Sequence, residues 1–286
     1  MKENKTTNEF FLRVEAHMEK LSKKEKLTAQ CMLDNQEKLI YSSITELARL
    51  AGSSEATVTR LCGKLGYPSF QALKVDVARE LVTPTQLIHE QLTDESDIET
   101  IINSVFSSAV GALKQTQMAL NKEDIEKCIQ AILKCRRLII VGNGNSAAIA
   151  LDAGHKFLRI GMDVHAYTDD HMQMIAIASM GKEDVLLVCS HSGSSKDAKE
   201  AAELAKKNGA FIITVTSVGN SPVAKLANIA LHTKSSEILY RINAIASRMA
   251  ELTIIDTLYT GVALRSGQVA IDNFKHLEEA LVVKKY

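Results

Sequence analysis

From residue 122 onward, short apolar segments alternate with longer segments of helical periodicity. Five of the apolar segments have the length and composition of buried strands: 138–141, 163–168, 184–189, 211–216 and 229–232. The alternation is typical of parallel strands that are joined by crossover helices. The sequence therefore predicts an open, doubly wound α/β domain with a five-stranded parallel sheet, whose ligands bind at the carboxyl ends of the strands.

The segment Leu186–Asp197 contains the strand end with the most distinctive chemistry. Its apolar run stops at a loop with four serines and one glycine, and a helical pattern follows. The loop serines are Ser190, Ser192, Ser194 and Ser195. Free N–H groups, the helix dipole and hydroxyl donors together favour an anion. The loop lacks the Gly-Lys-Ser/Thr ending of a nucleotide P-loop. We predict a phosphate site here, with a capped polar turn as the alternative.

A second strand end carries the turn Gly142-Asn-Gly-Asn-Ser-Ala147. This turn also fits the dinucleotide fingerprint, for which Asp169 or Asp170 would hold a ribose hydroxyl, although both come a little late. Two hydroxyl-rich turns that face one crevice fit a small phosphorylated metabolite better. The third strand end, Thr214–Asn220, either faces the same crevice or forms a surface turn, and we favour the turn.

The first eighty residues have helical patterns throughout. Ser22 with Glu25 and Ser43 with Glu46 predict capping boxes at two helix starts. The segments 44–51 and 55–65, joined at Gly52, have the spacing of a helix-turn-helix, although a plain helical hairpin has the same spacing. The outward candidates on the second helix, which suit base edges and phosphates, are Ser54, Glu55, Thr57, Thr59, Arg60 and Lys64.

Length and composition constrain the class of protein. The 286 residues suffice for two domains, and the 34 Lys and Arg balance the 34 Asp and Glu, so charge alone does not predict nucleic-acid binding. No apolar run reaches membrane-spanning length, and the polar first residues do not resemble a signal peptide. The five cysteines form no Cys-x-x-Cys pair, which favours reduced thiols in a cytoplasmic protein without a metal site.

The mixed polar residues 82–97, which include Pro84, predict a domain boundary. Ile98–Leu120 then has the apolar period of a long amphipathic helix, whose stripe packs either on its own domain or on a second subunit. We predict a helix-turn-helix domain at 1–81, a linker and connecting helix at 82–120, and the α/β domain at 121–286.

The N-terminal residues carry a resemblance to a known family. Residues 44–48 and 53–70, with the ending Leu65-Gly66-Tyr67 and Phe70, resemble the helix-turn-helix of the RpiR (MurR/RpiR) family of bacterial transcriptional regulators.

The C-terminal residues resemble the domain that RpiR regulators carry next. Residues 141–146 and 190–195 are similar to the two hallmark loops of the SIS (sugar isomerase) domain, which has a flavodoxin-like sheet, and 241–259 resembles its C-terminal helix. The resemblance implies that hydroxyls of the second loop hold a sugar's phosphate and that the first loop adds a serine with its neighbouring backbone. The residues matched to these roles are Ser190, Ser192, Ser194 and Ser195, and Gly144, Asn145 and Ser146.

The predicted ligand-binding set also includes His191 and Glu251. His191 stands where many SIS domains have Gln or another small polar residue. It either reads a sugar hydroxyl, senses pH or packs on the loop edge, and we favour the last of these. Glu251 either faces the ligand or forms a surface pair with Arg248, three residues earlier on the same helix.

Two functions compete for this architecture. An isomerase or etherase of the SIS type would need an acid/base pair, for which Glu251, His155 and His191 are the candidates, and no paired constellation stands out. The helix-turn-helix instead favours a regulator without catalytic residues, cofactor or metal. We predict a homodimer or homotetramer that binds a palindromic operator through Ser54, Thr57, Thr59, Arg60 and Lys64, senses a sugar phosphate and has no membrane partner.

Overall fold

Three clusters of buried apolar side chains organise the described part of the chain. The structure is a computed structural model that describes residues 9–81, 92–93, 95–217, 220–234 and 245–282. One cluster lies in an N-terminal unit that reaches Ser104, and the other two lie in a C-terminal unit that begins at Val105. Most of the predicted linker, 82–91 and residue 94, lies outside the described residues.

Six α-helices precede the predicted linker within residues 9–81. They are α1 Glu9–His17, α2 Lys23–Asp34, α3 Gln36–Tyr41, α4 Ile44–Leu50, α5 Glu55–Lys64 and α6 Phe70–Leu81. Both predicted capping boxes are confirmed, since each serine hydroxyl accepts from the N–H of the later glutamate and each carboxylate accepts from the serine N–H. The helix α3 was not predicted, because six residues are too few to show a period.

The helices α4 and α5 form the predicted helix-turn-helix. Gly52 has φ +59° in the turn, a conformation that costs glycine little, and Ser54 caps α5 by accepting from the N–H of Thr57. Val58 and Leu61 are fully buried in the N-terminal core, which also contains Leu47 of α4. This packing fixes which face of α5 remains exposed.

Lys74 on α6 is a deeply buried charged side chain, at 2% exposed. Its Nζ donates to the carbonyl of Ser42 at 2.7 Å, just before α4 begins. Burial lowers the pKa of Lys74 to about 8, although the Glu46 carboxylate opposes this by raising it. The protonation state of the Lys74 side chain therefore affects the stability of the N-terminal unit.

The N-terminal unit is expected to become more stable between pH 7 and pH 9.5. The folded pKa of Lys74 lies below the unfolded value of about 10.4, so the unfolded chain binds more protons in the window between them, and the free energy of unfolding rises with pH there. Between these pH values, we expect the free energy of unfolding of the wild type to rise by on the order of 1–2 kcal/mol more than that of Lys74→Met. Denaturant unfolding of both proteins at each pH measures this gain. A constant difference between them would contradict it.

The C-terminal unit contains the predicted parallel sheet. Its strands are β1 Arg137–Val141, β2 Val164–Tyr167, β3 Asp184–Cys189, β4 Phe211–Thr216 and β5 Ile229–His232. They are all parallel and lie in the order β2-β1-β3-β4-β5, which is the flavodoxin-like order. The last three strands have the predicted bounds, whereas β1 is one residue longer and β2 is shorter at both ends.

Helices cover both faces of this sheet. They are α8 Lys122–Lys134, α9 Ala147–Arg159, α10 Asp170–Ala178, α11 Lys196–Lys207, α12 Ile245–Ser266 and α13 Gln268–Val282. Residues 241–244 of the segment that resembles the C-terminal SIS helix lie outside the described residues. A 3₁₀ turn at Ala224–Leu226 precedes β5, and α13 was not predicted. Gly161 and Gly209, just after the ends of α9 and α11, have positive φ, a conformation that costs glycine little.

The connecting helix α7 spans Ile98–Ala119, as predicted to within one residue. Its apolar stripe is only partly buried: Ala112 is buried, while Ile102, Phe106 and Met118 are exposed. No helix among the described residues is long and apolar enough to cross a membrane. All five cysteines are free thiols, and Cys62, Cys128 and Cys189 are buried, whereas Cys31 and Cys135 are only half-buried.

Candidate functional site

The serine loop follows β3 and ends at α11, at the carboxyl edge of the sheet. Ser190 begins it, with its N–H bonded to the carbonyl of Val215 on β4, and its side chain is 6% exposed. The N–H of Gly193 returns to the carbonyl of Ser190 at 3.0 Å, which closes a tight turn. Gly193 adopts φ +57°, a conformation that L side chains rarely take.

The end of the loop leaves anion-binding groups available. Ser195 is the N-cap residue of α11, yet its hydroxyl caps no N–H of the helix in the described structure. The N–H of Ser194 donates to the hydroxyl of Ser192 at 3.3 Å, which orients that hydroxyl. The first N–H groups of α11 and the hydroxyl of Ser195 thus lie together at the positive end of the helix. This arrangement suits a phosphate.

The first loop lies beside the serine loop, because β1 and β3 are neighbouring strands. It consists of Gly142, Asn143 and a 3₁₀ turn at Gly144–Ser146. Ser146 is buried, and its hydroxyl accepts from the N–H of His191 at 3.4 Å. Gly144 and Asn145 are exposed beside it. The structure therefore brings the two predicted loops into contact.

Thr216, the last residue of β4, and Ser217, which follows it, both bond to the serine loop. The hydroxyls of Thr216 and Ser217 both donate to the carbonyl of His191, at 3.1 and 2.6 Å. We expected this third strand end to form a surface turn, and that expectation is wrong for Thr216, which is fully buried. Asn220 is exposed, while residues 218–219 lie outside the described residues.

His191 and Glu251 form a pair at the edge of the loops. Nδ1 of His191 lies 2.9 Å from Oε1 of Glu251, although the residues are far apart in sequence. Glu251 is 4% exposed, so the alternative of a surface pair with Arg248 is wrong. His191 does more than pack on the loop edge, because it contacts a buried carboxylate. His155, the third acid/base candidate, is exposed on α9.

Sequence reasoning missed Gln173, which fixes the first loop from α10. It is 1% exposed, and its Nε2 donates to Oδ1 of Asn143 and to the carbonyl of Tyr167, both at 3.0 Å. Its Oε1 is buried and has no hydrogen-bond partner in the described structure. The one sequence signal is a glutamine among the apolar residues of this helix. The contact holds Asn143 next to the turn that contains Ser146.

The alternative dinucleotide site lacks support from its acidic candidates. Oδ1 of Asp169 accepts from the N–H of Met172 at 2.9 Å and caps α10, and Asp170 begins that helix. The carboxylate of Asp169 is therefore already engaged in holding the helix. No three potential metal-ligating side chains come together anywhere in the described ranges.

The exposed face of α5 is the candidate nucleic-acid surface. Thr59 and Arg60 are exposed there, and Ser54 is exposed at its start. The prediction that Thr57 faces outward is wrong, because Thr57 is 3% exposed and its hydroxyl lies 2.9 Å from that of Ser54. The helical phase that buries Val58 and Leu61 carries Thr57 inward with them.

Lys64 is exposed at the end of α5, but its ammonium is already bonded. Its Nζ lies 2.8 Å from Oε2 of Glu25, the capping-box carboxylate of α2. The hydrogen bond from Lys64 lowers the pKa of Glu25 to about 2, assisted by the N–H of Ser22. Lys64 therefore has a structural role, since its ion pair joins α5 to α2. This role is separate from any contact that Lys64 makes with DNA.

Comparison with known proteins identifies two modules in this chain. Residues 9–84 match the model for the helix-turn-helix domain of the rpiR family, and residues 131–261 match the SIS domain. The transcriptional regulator HexR of Escherichia coli is 32% identical, over 96% of this chain and 94% of that protein. The regulator RpiR of Escherichia coli is 32% identical, over 77% of this chain and 75% of that protein.

A solved structure is similar over nearly the whole chain. The NanR protein of Vibrio vulnificus, in complex with ManNAc-6P, superposes with a TM-score of 0.80 at 25% identity. The similarity covers 96% of this chain and 99% of that one. The comparison thus includes both the helical unit and the α/β unit.

Proposed function

This chain belongs to the rpiR family of helix-turn-helix transcriptional regulators with a SIS domain, and on that premise we propose that it binds a sugar phosphate and thereby changes its affinity for operator DNA. The observation that carries the proposal is the contact between the two polar loops, which places Ser146 against the serine loop. A ligand that binds one of two conformations better shifts the equilibrium between them.

The serine loop supports a phosphate in particular. It combines a helix N-terminus, the hydroxyl of Ser195, which caps no N–H of the described helix, and the buried Ser190 at one strand end. Next to these groups, His191 and Glu251 supply a donor and an acceptor that suit sugar hydroxyls. The bound ManNAc-6P of the NanR structure is a sugar phosphate, which supports the same ligand class here.

We assign operator contacts to the exposed side chains of α5. Thr59 and Arg60 would reach base edges or phosphates in the major groove, with Ser54 and Lys64 at the two ends of the helix. A homodimer would present two such helices and a homotetramer four, and a pair of them matches a palindromic operator.

Arg60→Ala is expected to weaken binding to selected DNA by about 5-fold to 150-fold, since an arginine that reads a base contributes roughly 1–3 kcal/mol. The DNA is first selected from a random duplex library by the wild-type protein, and gel shifts then compare the variants. Arg159→Ala, an exposed arginine on α9 in the other unit, is the control and should leave binding unchanged. If Arg60→Ala binds both selected and random DNA with the affinity of the wild type, Arg60 does not contact DNA.

A second candidate function is isomerisation of the bound sugar phosphate. The observation in its favour is the pair of His191 and Glu251, because proton transfer between adjacent carbons needs a base and a partner acid. Turnover of the phosphosugar that binds, assayed for the wild type and for Glu251→Gln, separates the two functions. A regulator shows binding without turnover in both proteins.

A further inference from the structure

The start of α2 carries a dense group of exposed positive charges. Lys20, Lys23, Lys24 and Lys26 are all exposed, and we call them the lysine cluster. Within the described part of the chain, none of the four forms an ion pair. The carboxylates within residues 18–26 are Glu19 and Glu25, and Glu25 is buried and bonded to Lys64. The cluster therefore presents a strong net positive charge.

The ion pair between Lys64 and Glu25 locates the lysine cluster relative to α5. Glu25 lies in the first turn of α2, and Lys64 is the last residue of α5. Since Nζ of Lys64 lies 2.8 Å from Oε2 of Glu25, the first turn of α2 borders the exposed face of α5 at its C-terminal end. The buried residues of α2, Glu25, Thr28, Ala29 and Met32, face the core, which leaves Lys23, Lys24 and Lys26 outside.

The width of the DNA major groove indicates what the lysine cluster would contact. The ten residues of α5 extend about 15 Å, whereas the major groove of B-DNA is about 12 Å wide. When α5 lies in the groove, whatever borders its end lies over a phosphate strand. Lysine is a flexible point charge that suits phosphates rather than base edges.

We propose that the lysine cluster binds the phosphate backbone beside the groove that α5 occupies, and so forms a second, sequence-independent part of the DNA interface. This inference rests on operator binding through α5. The cluster sets the affinity for any duplex, and the exposed side chains of α5 set the preference for one sequence. The ion pair of Lys64 with Glu25 holds the lysine cluster next to the end of α5. It also neutralises the one carboxylate that lies between lysines of the cluster, that of Glu25.

The test measures how salt affects the binding of a fluorescein-labelled duplex of mixed sequence, about 30 base pairs long, to the full-length protein. Neutralised phosphates release counterions, so the logarithm of the affinity falls with that of the salt concentration by about 0.9 for each contact. The triple variant Lys23→Gln/Lys24→Gln/Lys26→Gln is expected to reduce this slope by about 2–3. Glutamine has a helix propensity similar to that of lysine, so α2 should persist and the melting temperature should not change.

The matched control is Lys206→Gln/Lys207→Gln/Lys275→Gln, which removes the same charge from exposed helix positions in the C-terminal unit. It should keep the wild-type slope. A wild-type slope in the α2 variant, or an equal reduction in the control, would overturn the proposal. Wild-type protein that binds the duplex without salt dependence, or not at all, would overturn both this proposal and operator binding through α5.

Discussion

The double variant Ser190→Ala/Ser192→Ala is expected to bind its sugar phosphate about 100-fold to 10,000-fold more weakly than the wild type. A hydrogen bond to a charged group contributes roughly 1.5–3 kcal/mol, and each 1.4 kcal/mol is a tenfold change in affinity. Ser190 is buried at the strand end, and the hydroxyl of Ser192 is oriented by the N–H of Ser194, so both are positioned before the ligand arrives. Titration calorimetry with the sugar phosphate that stabilises the wild type most measures the loss.

The control for this variant is Ser179→Ala/Ser266→Ala. The hydroxyls of Ser179 and Ser266 donate to the carbonyls of Ala176 and Val262. Ser179 also accepts from Arg137 at the amino end of β1, whereas the two polar loops lie at the carboxyl ends of the strands. This control should bind as the wild type does. An unchanged affinity in Ser190→Ala/Ser192→Ala would rule out the serine loop as the phosphate site.

Gly193→Ala is expected to disrupt the serine loop itself. A Cβ at this position would lie 2.8 Å from Oγ1 of Thr216 and closer still to Oγ of Ser221, and φ +57° adds backbone strain. The strain and the overlap together should lower the free energy of unfolding by roughly 2–4 kcal/mol and the melting temperature by about 4–12 °C. Binding should fall at least as far as in the double serine variant, because the loop that carries Ser192 and Ser194 must move.

Two further variants separate overlap from strain. Gly181→Ala adds a methyl group where no atom lies within 4 Å and where φ is not positive, so it should change little. Gly193→Ala/Ser221→Gly removes the closest overlap but keeps the strain, so it should recover part of the lost stability. A Gly193→Ala protein with wild-type melting and binding would contradict the close approach of Gly193 and Ser221.

The fold was largely predictable because its signals are local. A buried parallel strand is a short apolar run, and its end is marked by glycine, serine or asparagine, so β3, β4 and β5 were predicted at their observed bounds. The capping boxes at Ser22 and Ser43 are equally local, since three residues define each one. The contact between the two loops followed from strand order, because β1 and β3 are neighbours.

The features that we did not predict depend on contacts between residues far apart in sequence, or on the exact phase of a helix. The contact of His191 with Glu251 joins two elements that are separated by β4, β5 and the start of α12. Gln173 was missed because a buried amide in an apolar helix has no local signature. Thr57 was placed outward because threonine is polar, although neighbouring Val58 and Leu61 set a phase that buries it.

The most direct measurement is a thermal-shift screen of the full-length wild-type protein. The panel contains hexose, pentose and amino-sugar phosphates, each beside its unphosphorylated sugar, together with NAD and NADP. A ligand that binds only the folded state must raise the melting temperature. We expect a rise with at least one sugar phosphate, none with its parent sugar, and a smaller rise for Ser190→Ala/Ser192→Ala than for the wild type. No rise with any sugar phosphate, but a rise with NAD or NADP, would contradict the sensor and favour the turn at Gly142 as a dinucleotide site.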